Sequence, residues 1–533
     1  MSRPGRVLVV EDREDWREEL SELLAGAKLE VATAATRVEA AQRLATELFH
    51  LVVLDISLEP DEHNQDGMEL LREIGRTEAI RVIVLSAYGT KARQREAFGQ
   101  YKVFDFQDKQ EFDDLEFLAR VAQLFSEEMQ INLGLEINYR GDLNLARAVL
   151  NLSLDGQRVK RDTPLQQLLA TELDDLLCRL FHNAESLLVS PLGVGVGGGG
   201  GVMAVRPFYG EGAGRAVVVK FGGSQETERE LQNFTRFVQP YVGGGRNTSV
   251  LGRRRTPRLG GIVYSLLGGA SDSFEDFATF YRRADGDEIA RAVDRLFLDT
   301  CQPWYASLGR LRPIDLTRHY VAALELAPAI LDEALSVRLK SVQGRERLSF
   351  HSLPHLRPLP NPILTLGRQS LVFSTYETIT HGDFNGHNVL VDGDGHCWLI
   401  DFQRTGIGHV LRDAVQLDTI VRLLLLGPDE ATLAERLELE EALGSAASFA
   451  DTSTLPGRLR SPNPAVAKAF LTCAHLRGLA AKLIASHREA DIGEYYAGTL
   501  YCALKTASLF RTPTLQREHA LLSACLTAER LGL

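Results

Sequence analysis

The chain has 533 residues, of which 44% are hydrophobic and 24% are charged, and its formal net charge is −12. This length predicts about three domains, and the composition is that of ordinary globular protein. The acidic balance argues against direct binding to nucleic acid or to an anionic membrane surface. We expect neither a signal peptide nor a membrane-spanning segment, and the scattered cysteines predict reduced thiols in a cytoplasmic protein.

Residues 6 to 126 alternate between continuous apolar strands and amphipathic helices. The clearest apolar runs are Val7–Val10, Leu51–Leu54 and Val82–Leu85. Continuous apolar strands between helices predict a parallel sheet that helices cover on both faces. Sheets of this kind bind ligands outside the carboxyl ends of their strands, so the residues that follow each strand are the candidates for a site.

Polar side chains follow these predicted strands in order. They are Glu11 and Asp12 after the first, Asp55 after the second, Ser86 after the third, and Lys109 after Val103–Phe106. Carboxylates bind Mg²⁺, whereas a lysine and a hydroxyl neutralise and hydrogen-bond phosphoryl oxygens. Together they predict a site for Mg²⁺ and a phosphoryl group at one edge of the sheet.

This pattern resembles the receiver domain of bacterial response regulators. The resemblance implies a doubly wound, five-stranded parallel sheet over residues 1–126 and a sensor histidine kinase as the phosphodonor. By the same resemblance, the site residues are Asp55 as the phosphoacceptor, Glu11 and Asp12 as further Mg²⁺ ligands beside Asp55, Ser86 and Lys109 as the switch pair, and Phe106 as the aromatic residue that reorients on activation.

Residues 127–175 predict a structured connector, because they lack the Gly, Ser or Pro richness of a flexible linker. Residues 131–139 alternate as an exposed strand does, and residues 163–181 have a helical pattern. The segment is interpreted either as a relay or dimerisation element or as an extension of the domain that follows.

Residues 176–270 are rich in predicted strands. A glycine run over 193–201 precedes a strand that ends at Lys220. A Gly-rich hairpin ahead of a strand lysine is how a kinase small lobe covers nucleotide phosphates. The candidate nucleotide-binding residues are Lys220, which would also serve catalysis, and Gly193, Gly195, Gly197 and Gly198.

A helix over residues 225–241 follows Lys220. Among its acids we favour Glu230 as the partner that orients Lys220, because Leu231, Phe234 and Phe237 place an apolar stripe beside it. The next strand, near Gly260–Gly269, would be the last of the small lobe. Backbone groups around Ser265 to Leu267 are expected to bind the adenine base.

The chain carries a second phosphoryl-transfer pattern at His381–Asn388, followed by Asp401. Asp383 could orient or deprotonate an attacking hydroxyl, while Asn388 and Asp401 could hold Mg²⁺ on nucleotide phosphates. Asp392–Gly395 predicts a hairpin turn between two short strands. Such a hairpin would place the two metal ligands at neighbouring strand ends.

His-Gly-Asp-x-x-x-x-Asn, a hairpin and Ile-Asp-Phe together resemble the aminoglycoside phosphotransferase and choline kinase group of kinase-like enzymes. The resemblance implies a β-rich small lobe over residues 176–270 and a helical large lobe over residues 271–533, with ATP or another nucleoside triphosphate and Mg²⁺ as cofactors. It implies Asp383 as the catalytic aspartate, Asn388 and Asp401 as metal ligands, His381 as the brace of the loop, and Asp413 as a buried support.

The sequence thus predicts a multi-domain α/β and α+β protein of two-component signalling. Its receiver would control an ATP- and Mg²⁺-dependent phosphotransferase through the connector, which leaves the last receiver helix. The alternative is a catalytically silent, nucleotide-binding module that serves as a regulated interaction scaffold. A homodimer is one possible assembly. The expected acceptor is a small alcohol or a protein hydroxyl.

Overall fold

A computed structural model of the chain describes residues 3–58, 66–75, 79–87, 91–154, 156–192, 200–210, 212–241, 248–266, 274–326, 344–365, 369–484, 492–509 and 512–533. It forms two compact units. Unit 1 comprises Met1–Arg229 and Ser249–Ser265, and unit 2 comprises Glu230–Thr248 and Leu266–Leu533. The predicted phosphate-binding glycines Gly193, Gly195, Gly197 and Gly198, and the predicted hinge residue Leu267, lie outside the described residues.

Unit 1 begins with a five-stranded sheet in the order β2-β1-β3-β4-β5, and all of its neighbouring strands are parallel. Its strands are Arg6–Val10 (β1), Glu30–Ala34 (β2), Leu51–Leu54 (β3), Arg81–Ser86 (β4) and Asp105–Asp108 (β5). Its helices are Glu14–Gly26 (α1), Arg37–Thr46 (α2), Asp66–Gly75 (α3), Lys91–Tyr101 (α4) and Asp114–Gln123 (α5).

These strands are apolar at successive positions because both faces of the sheet are buried. Val7 and Val9 of β1 belong to one hydrophobic core, which also contains residues of α1 and α5. Leu8 and Val10 belong to a second core on the opposite face, with residues of α2 and α3. Since side chains alternate between the two faces of a strand, a continuous apolar run supplies both cores.

A second sheet of unit 1 has the path β13-β14-β12-β10-β9-β6, with β11 paired to β10. Its strands are Glu136–Tyr139 (β6), Ser186–Pro191 (β9), Gly200–Tyr209 (β10), Gly212–Ala213 (β11), Val217–Gly223 (β12), Thr248–Arg255 (β13) and Leu259–Leu266 (β14). Between them lie Leu145–Ala148 (α6), the short pair Ser153–Leu154 (β7) and Gln157–Arg158 (β8), Pro164–Leu180 (α7) and Ser224–Asn233 (α8).

The predicted connector is part of this second layer. Strand β6 runs parallel to β9 in the sheet. Leu135, Val149 and Leu173 share one hydrophobic core with Val189 of β9 and Val219 of β12. The residues of the predicted connector therefore pack with the second sheet of unit 1, and the predicted boundary at residue 175 falls inside α7.

Unit 2 contains short strands and many helices. The strands are Phe274–Asp276 (β15), Arg312–Asp315 (β16), Arg347–Leu348 (β17), Leu359–Pro360 (β18), Val372–Thr375 (β19), Glu377–Thr380 (β20), Val389–Asp392 (β21), Cys397–Leu399 (β22) and Gly406–His409 (β23). The helices are Phe277–Arg283 (α9), Gly286–Arg295 (α10), Gln302–Tyr305 (α11), Leu316–Ala323 (α12), Pro362–Thr365 (α13), Arg412–Ile420 (α14), Leu433–Leu443 (α15), Pro464–Leu483 (α16), Gly493–Ser508 (α17) and Thr514–Arg530 (α18).

The predicted fold class is confirmed. An all-parallel sheet forms the N-terminal part of the chain, and a mixed sheet with many helices follows, as in a kinase-like fold. Strands β15, β21 and β22 form one sheet, and β20 pairs with β23. None of the helices in the described ranges combines the length and the apolar character needed to cross a bilayer.

Candidate phosphoryl-transfer sites

The carboxyl ends of β1, β3 and β5 bring three charged side chains of the receiver together. The ammonium of Lys109 donates to Asp55 Oδ2 at 2.5 Å and to Glu11 Oε2 at 2.6 Å. All three side chains are nearly inaccessible to solvent. Asp55 Oδ1 also accepts from the backbone N–H of Ser57 at 2.9 Å. The lysine thus neutralises two buried carboxylates that lie on different strands.

The carboxylates at this edge fit a hard divalent cation. One oxygen each from Glu11, Asp12 and Asp55 lies within 4.8 Å of the other two. Carboxylate oxygens are the ligands that Mg²⁺ prefers. Burial raises the pKa of Glu11 to about 7, although Lys109 acts in the opposite direction. The donor set and its negative charge are those expected of an Mg²⁺ site.

The predicted switch residues lie on the same half of the sheet. Ser86 ends β4 and is fully buried. Its register partner on β5 is Asp108, directly before Lys109. Phe106 is half-buried and packs against the core that contains Leu8 and Val10. The structure therefore brings the hydroxyl and the lysine to adjacent strand ends, while their roles as switch residues stay predictions.

The second candidate site is the loop between β20 and β21 in unit 2. It begins at His381, which is fully buried and whose Nε2 donates to the carbonyl of Ile400 at 3.0 Å. Gly382 has a left-handed backbone with φ of 81°. A Cβ atom there would lie 2.3 Å from the carbonyl oxygen of Arg404, so no side chain can be accommodated.

Asp413 of α14 holds the beginning of this loop. Its Oδ2 accepts from the backbone N–H of His381 at 2.9 Å and from the Tyr305 hydroxyl at 3.1 Å. Its Oδ1 accepts from the N–H of Gly382 at 3.0 Å. Asp413 is fully buried, and a buried carboxylate is stable only when its oxygens find donors. The structure thus places Asp413 where the resemblance implied a support.

Two residues next to Asp413 also hold the loop and were not identified from the sequence. Arg412 Nη2 and Gln416 Nε2 both donate to the carbonyl of Gly382, at 2.7 Å and 3.0 Å. Gln416 Oε1 accepts from the N–H of Phe384 at 3.0 Å. Their spacing around Asp413 on one helix was the available signal, since residues one turn apart share a face.

Asp383 and Asn388 lie side by side within the loop. Asn388 Nδ2 donates to the Asp383 carbonyl at 2.9 Å and to its Oδ2 at 3.2 Å. With the amide nitrogen engaged in this way, the amide oxygen is the atom that Asn388 can offer to a cation. The backbone N–H of Ile400 donates to the carbonyl of Asn388 at 3.0 Å, which joins this residue to the strand that leads to Asp401.

Asp401 follows directly and has a left-handed backbone, with φ of 71°. Such a conformation is uncommon for a residue other than glycine, and it is concentrated at functional sites. An amide oxygen and a carboxylate on adjacent strand ends suit Mg²⁺. Asn388 and Asp401 therefore fit the cation that the resemblance implies.

The remaining predicted residues fall in different units. Lys220 is buried in β12 and Ser265 lies near the end of β14, both in unit 1. Glu230 is buried in unit 2, where its Oε1 accepts from the N–H of Phe402 at 3.2 Å. The structure thus links Glu230 to the residue after Asp401, and its pairing with Lys220 stays a prediction.

The N-terminal part of the chain is similar to known receiver domains. A family model described as "Response regulator receiver domain" matches residues 7–122. A solved signal receiver domain, from an HD domain-containing protein of Pseudomonas fluorescens Pf-5, is 23% identical and covers 24% of this chain and 98% of that one, with a TM-score of 0.22. The match to the family model confirms the resemblance to receiver domains.

The C-terminal part is similar to two curated kinases. A 3-deoxy-D-manno-octulosonic acid kinase of Stenotrophomonas maltophilia strain R551-3 is 32% identical over 129 residues, which cover 21% of this chain and 51% of the relative. The same enzyme of strain K279a is 46% identical over 46 residues, or 9% of this chain and 18% of the relative. The chain thus spans at most about half the length of these relatives, which support a kinase-like C-terminal domain.

A family model described as "Ternary complex associated domain 9" matches residues 184–351 and 347–507. The two matches overlap and together cover more than half of the chain. They include the loop at His381–Asn388, Asp401 and Asp413. The chain therefore belongs to the Ternary complex associated domain 9 family, and a response regulator receiver domain stands ahead of this region.

Proposed function

We propose that this two-component signalling protein takes a phosphoryl group from a sensor histidine kinase onto Asp55, and that this modification controls a phosphotransferase in the C-terminal region. The proposal of a phosphotransferase rests on the loop that Asp413 holds. In this loop Asn388 Nδ2 lies 3.2 Å from Asp383 Oδ2. A loop anchored by buried hydrogen bonds positions a reacting group more accurately than a free one.

In this proposal the chain positions a hydroxyl acceptor and holds its proton. Asp383 accepts the proton of the attacking hydroxyl, and Asn388 fixes the carboxylate of Asp383 through its amide nitrogen. The amide oxygen of Asn388 and the carboxylate of Asp401 would hold Mg²⁺, which would neutralise charge on the phosphoryl group that ATP transfers as ADP leaves. His381 and Asp413 keep the loop in place, and Lys220 binds the phosphates.

We further propose that the acceptor is a hydroxyl on a small anionic molecule. The curated relatives are kinases of an acid. Lys505 lies within electrostatic range of Asp383, and burial followed by the charge of Arg404 lowers its pKa, while Glu325 and Asp383 act in the opposite direction. Two cationic side chains near the predicted base would attract an anionic substrate.

The domains are proposed to divide the work along the chain. Residues 1–126 receive the signal, residues 127–175 relay it, residues 176–270 bind the nucleotide, and residues 271–533 carry the catalytic loop. The alternative is a catalytically silent module in which nucleotide binding changes an interaction surface. Activity is favoured because Lys220, Asp383, Asn388 and Asp401 are all present in the sequence.

The test is phosphoryl transfer from labelled ATP by the full chain, with Mg²⁺ and with 3-deoxy-D-manno-octulosonic acid and related sugar acids as acceptors. Asp383→Asn should abolish transfer and retain ATP binding, because this side chain acts on the acceptor. The exposed Asp429→Asn is a matched control and should behave as the wild type. Tight ATP binding without transfer to any acceptor would favour the scaffold instead.

A further inference from the structure

The hairpin between β21 and β22 carries three metal-ligating side chains that the phosphotransferase proposal does not use. Asp392 ends β21, Asp394 lies in the turn, and His396 precedes β22. One ligand atom from each lies within 4.8 Å of the other two. Asn388 and Asp401, the predicted Mg²⁺ ligands, are not members of this group.

Asp392 supplies the observation that distinguishes this group from an ordinary acidic turn. The residue is only 2% exposed. Its Oδ1 accepts from the backbone N–H groups of Asp394 and His396, both at 2.9 Å, and so closes the turn. Its Oδ2 has no hydrogen-bond partner among the residues that the structure describes. A buried carboxylate oxygen without a donor is costly, so this atom calls for a cation or a donor.

The imidazole of His396 lies near this oxygen, but farther away than a charge-assisted hydrogen bond would place it. His396 Nδ1 lies 3.4 Å from Asp392 Oδ2. A charge-assisted hydrogen bond between them would bring the atoms to about 2.7–2.9 Å. In contrast, a tetrahedral metal ion with bonds of about 2.0–2.2 Å holds two of its ligand atoms about 3.4 Å apart. The separation therefore fits chelation better than direct pairing.

We propose that Asp392 Oδ2, His396 Nδ1 and the carboxylate of Asp394 bind one divalent transition-metal ion of the Zn²⁺ type. An imidazole ligand favours zinc and its neighbours in the periodic table over Mg²⁺, which prefers oxygen ligands throughout. Asp394 is exposed, so the ion can enter from solvent and water can complete its coordination. The described cysteines are all buried and do not offer a competing surface site.

The ion would stabilise the strands that lead to the predicted phosphotransfer residues. Strand β21 begins directly after Asn388, and β22 ends two residues before Asp401. The two strands pair from Val389 with Leu399 to Val391 with Cys397. A metal that joins Asp392 to His396 reinforces the turn end of this ladder, where the backbone N–H of Asp392 already donates to the carbonyl of His396 at 3.0 Å. Its role is positional, since none of its ligands belongs to the proposed reaction centre.

The experiment counts bound zinc in the full-length protein. The chain is stripped with a chelator, dialysed against Zn²⁺ in the presence of excess Mg²⁺, and analysed for zinc per chain. Excess Mg²⁺ keeps the two oxygen-ligand sites loaded with magnesium. The wild type is expected to hold one zinc more than either Asp392→Asn or His396→Gln, and zinc is expected to raise its melting temperature but not theirs.

The variants are chosen so that the hairpin is expected to stay folded. In Asp392→Asn the amide oxygen can still accept the two turn N–H groups, while the amide nitrogen replaces Oδ2 and can donate to His396. The exposed His355→Gln is the matched control and should retain the zinc. Equal zinc content in the wild type, Asp392→Asn and His396→Gln would overturn the proposal, as would an equal loss in His355→Gln, which would indicate adventitious surface binding only.

Discussion

His50, directly before β3 of the receiver, and Asp175 of α7 share a buried hydrogen bond, with 2.8 Å between His50 Nε2 and Asp175 Oδ1. The backbone N–H of Arg6 donates to His50 Nδ1 at 2.9 Å, so Nε2 carries the proton and donates to the carboxylate. Arg179 Nε donates to the other oxygen of Asp175 at 2.7 Å. A histidine of the receiver is thus built into the polar core around α7.

Further contacts join the same edge of the receiver to the second sheet of unit 1. Arg3 pairs with Asp174. Arg258, next to β14, donates to the carbonyls of Leu44 and Ala45 at 2.7 Å and 2.6 Å. This edge holds the amino ends of the strands, whereas Asp55 lies at their carboxyl ends. Ile131 packs on the core that contains Phe117 and Val121 of α5, and Asp175 meets His50 at this opposite edge.

Removing the imidazole should weaken unit 1. His50→Ala deprives Asp175 of one donor and leaves the Arg6 N–H without its acceptor, so we expect a loss of about 1–3 kcal/mol in the free energy of unfolding. Urea denaturation of the full chain measures it. The exposed His355→Ala is the control, and an equal stability of the two variants would contradict a structural role for His50.

The contribution of Asp175 should depend on pH in the acid range. Burial raises the pKa of Asp175, but the charge of Arg179 and the hydrogen bonds from His50 and Arg179 lower it to about 2. The folded value lies below the unfolded value of about 3.9. The stabilisation is therefore complete above about pH 4 and is lost as the pH falls towards 2, amounting to about 2–3 kcal/mol at pH 7.

This pH dependence is measured by comparing the wild type with Asp175→Asn in urea at several pH values. The stability difference between them should shrink as the pH falls from 5 to 3. A difference that stays constant over this range would show that the carboxylate charge of Asp175 is not what stabilises α7.

Asp55 should be the only residue modified by a phosphoryl donor in the presence of Mg²⁺. Wild-type protein incubated with acetyl phosphate should gain the mass of one phosphoryl group, and Asp55→Asn should gain none. Asp114→Asn, at the exposed start of α5, is the control and should be modified normally. A mass gain in Asp55→Asn would show that another residue accepts the phosphoryl group.

Asp413→Asn should disturb the loop that carries Asp383. The carboxylate of Asp413 accepts hydrogen bonds from the N–H groups of His381 and Gly382 and from the Tyr305 hydroxyl. In the variant an amide nitrogen, itself a donor, would face some of these donors. We expect a destabilisation of about 2–4 kcal/mol and a larger fractional loss of turnover than of ATP affinity. Thermal unfolding and single-turnover kinetics check this, with the exposed Asp429→Asn for comparison. An unchanged turnover would show that phosphoryl transfer does not depend on the hydrogen bonds of Asp413.

Phosphorylation at Asp55 should change the affinity for ATP. A regulatory coupling of about 1–3 kcal/mol corresponds to a change of about 5- to 150-fold. ATP titrations with and without beryllofluoride should show this change in the wild type and none in Asp55→Asn. By linkage, ATP should alter the affinity for beryllofluoride by the same factor. Identical ATP affinities in the wild type and in Asp55→Asn, with and without beryllofluoride, together with unchanged turnover, would show that the receiver does not control the C-terminal region.

The sequence by itself determined the two phosphoryl-transfer patterns. Asp55 follows an apolar strand, and Asp383, Asn388 and Asp401 stand at fixed spacing around a hairpin. Such signals are local, because strand periodicity and turn residues place a side chain at a strand end whatever the rest of the chain does. The receiver fold could be predicted for the same reason, since continuous apolar runs report sheets buried on both faces.

Only the tertiary structure decided which distant polar groups meet. His50 and Asp175 are 125 residues apart, and Arg422 and Glu440 of unit 2 form a buried pair that His519 joins from α18. Each of these residues, taken singly, reads as a surface position, because charged groups are rarely buried without a partner. The partner that offsets the free-energy cost of burying the charge comes from another part of the chain. No local pattern in the sequence encodes that pairing.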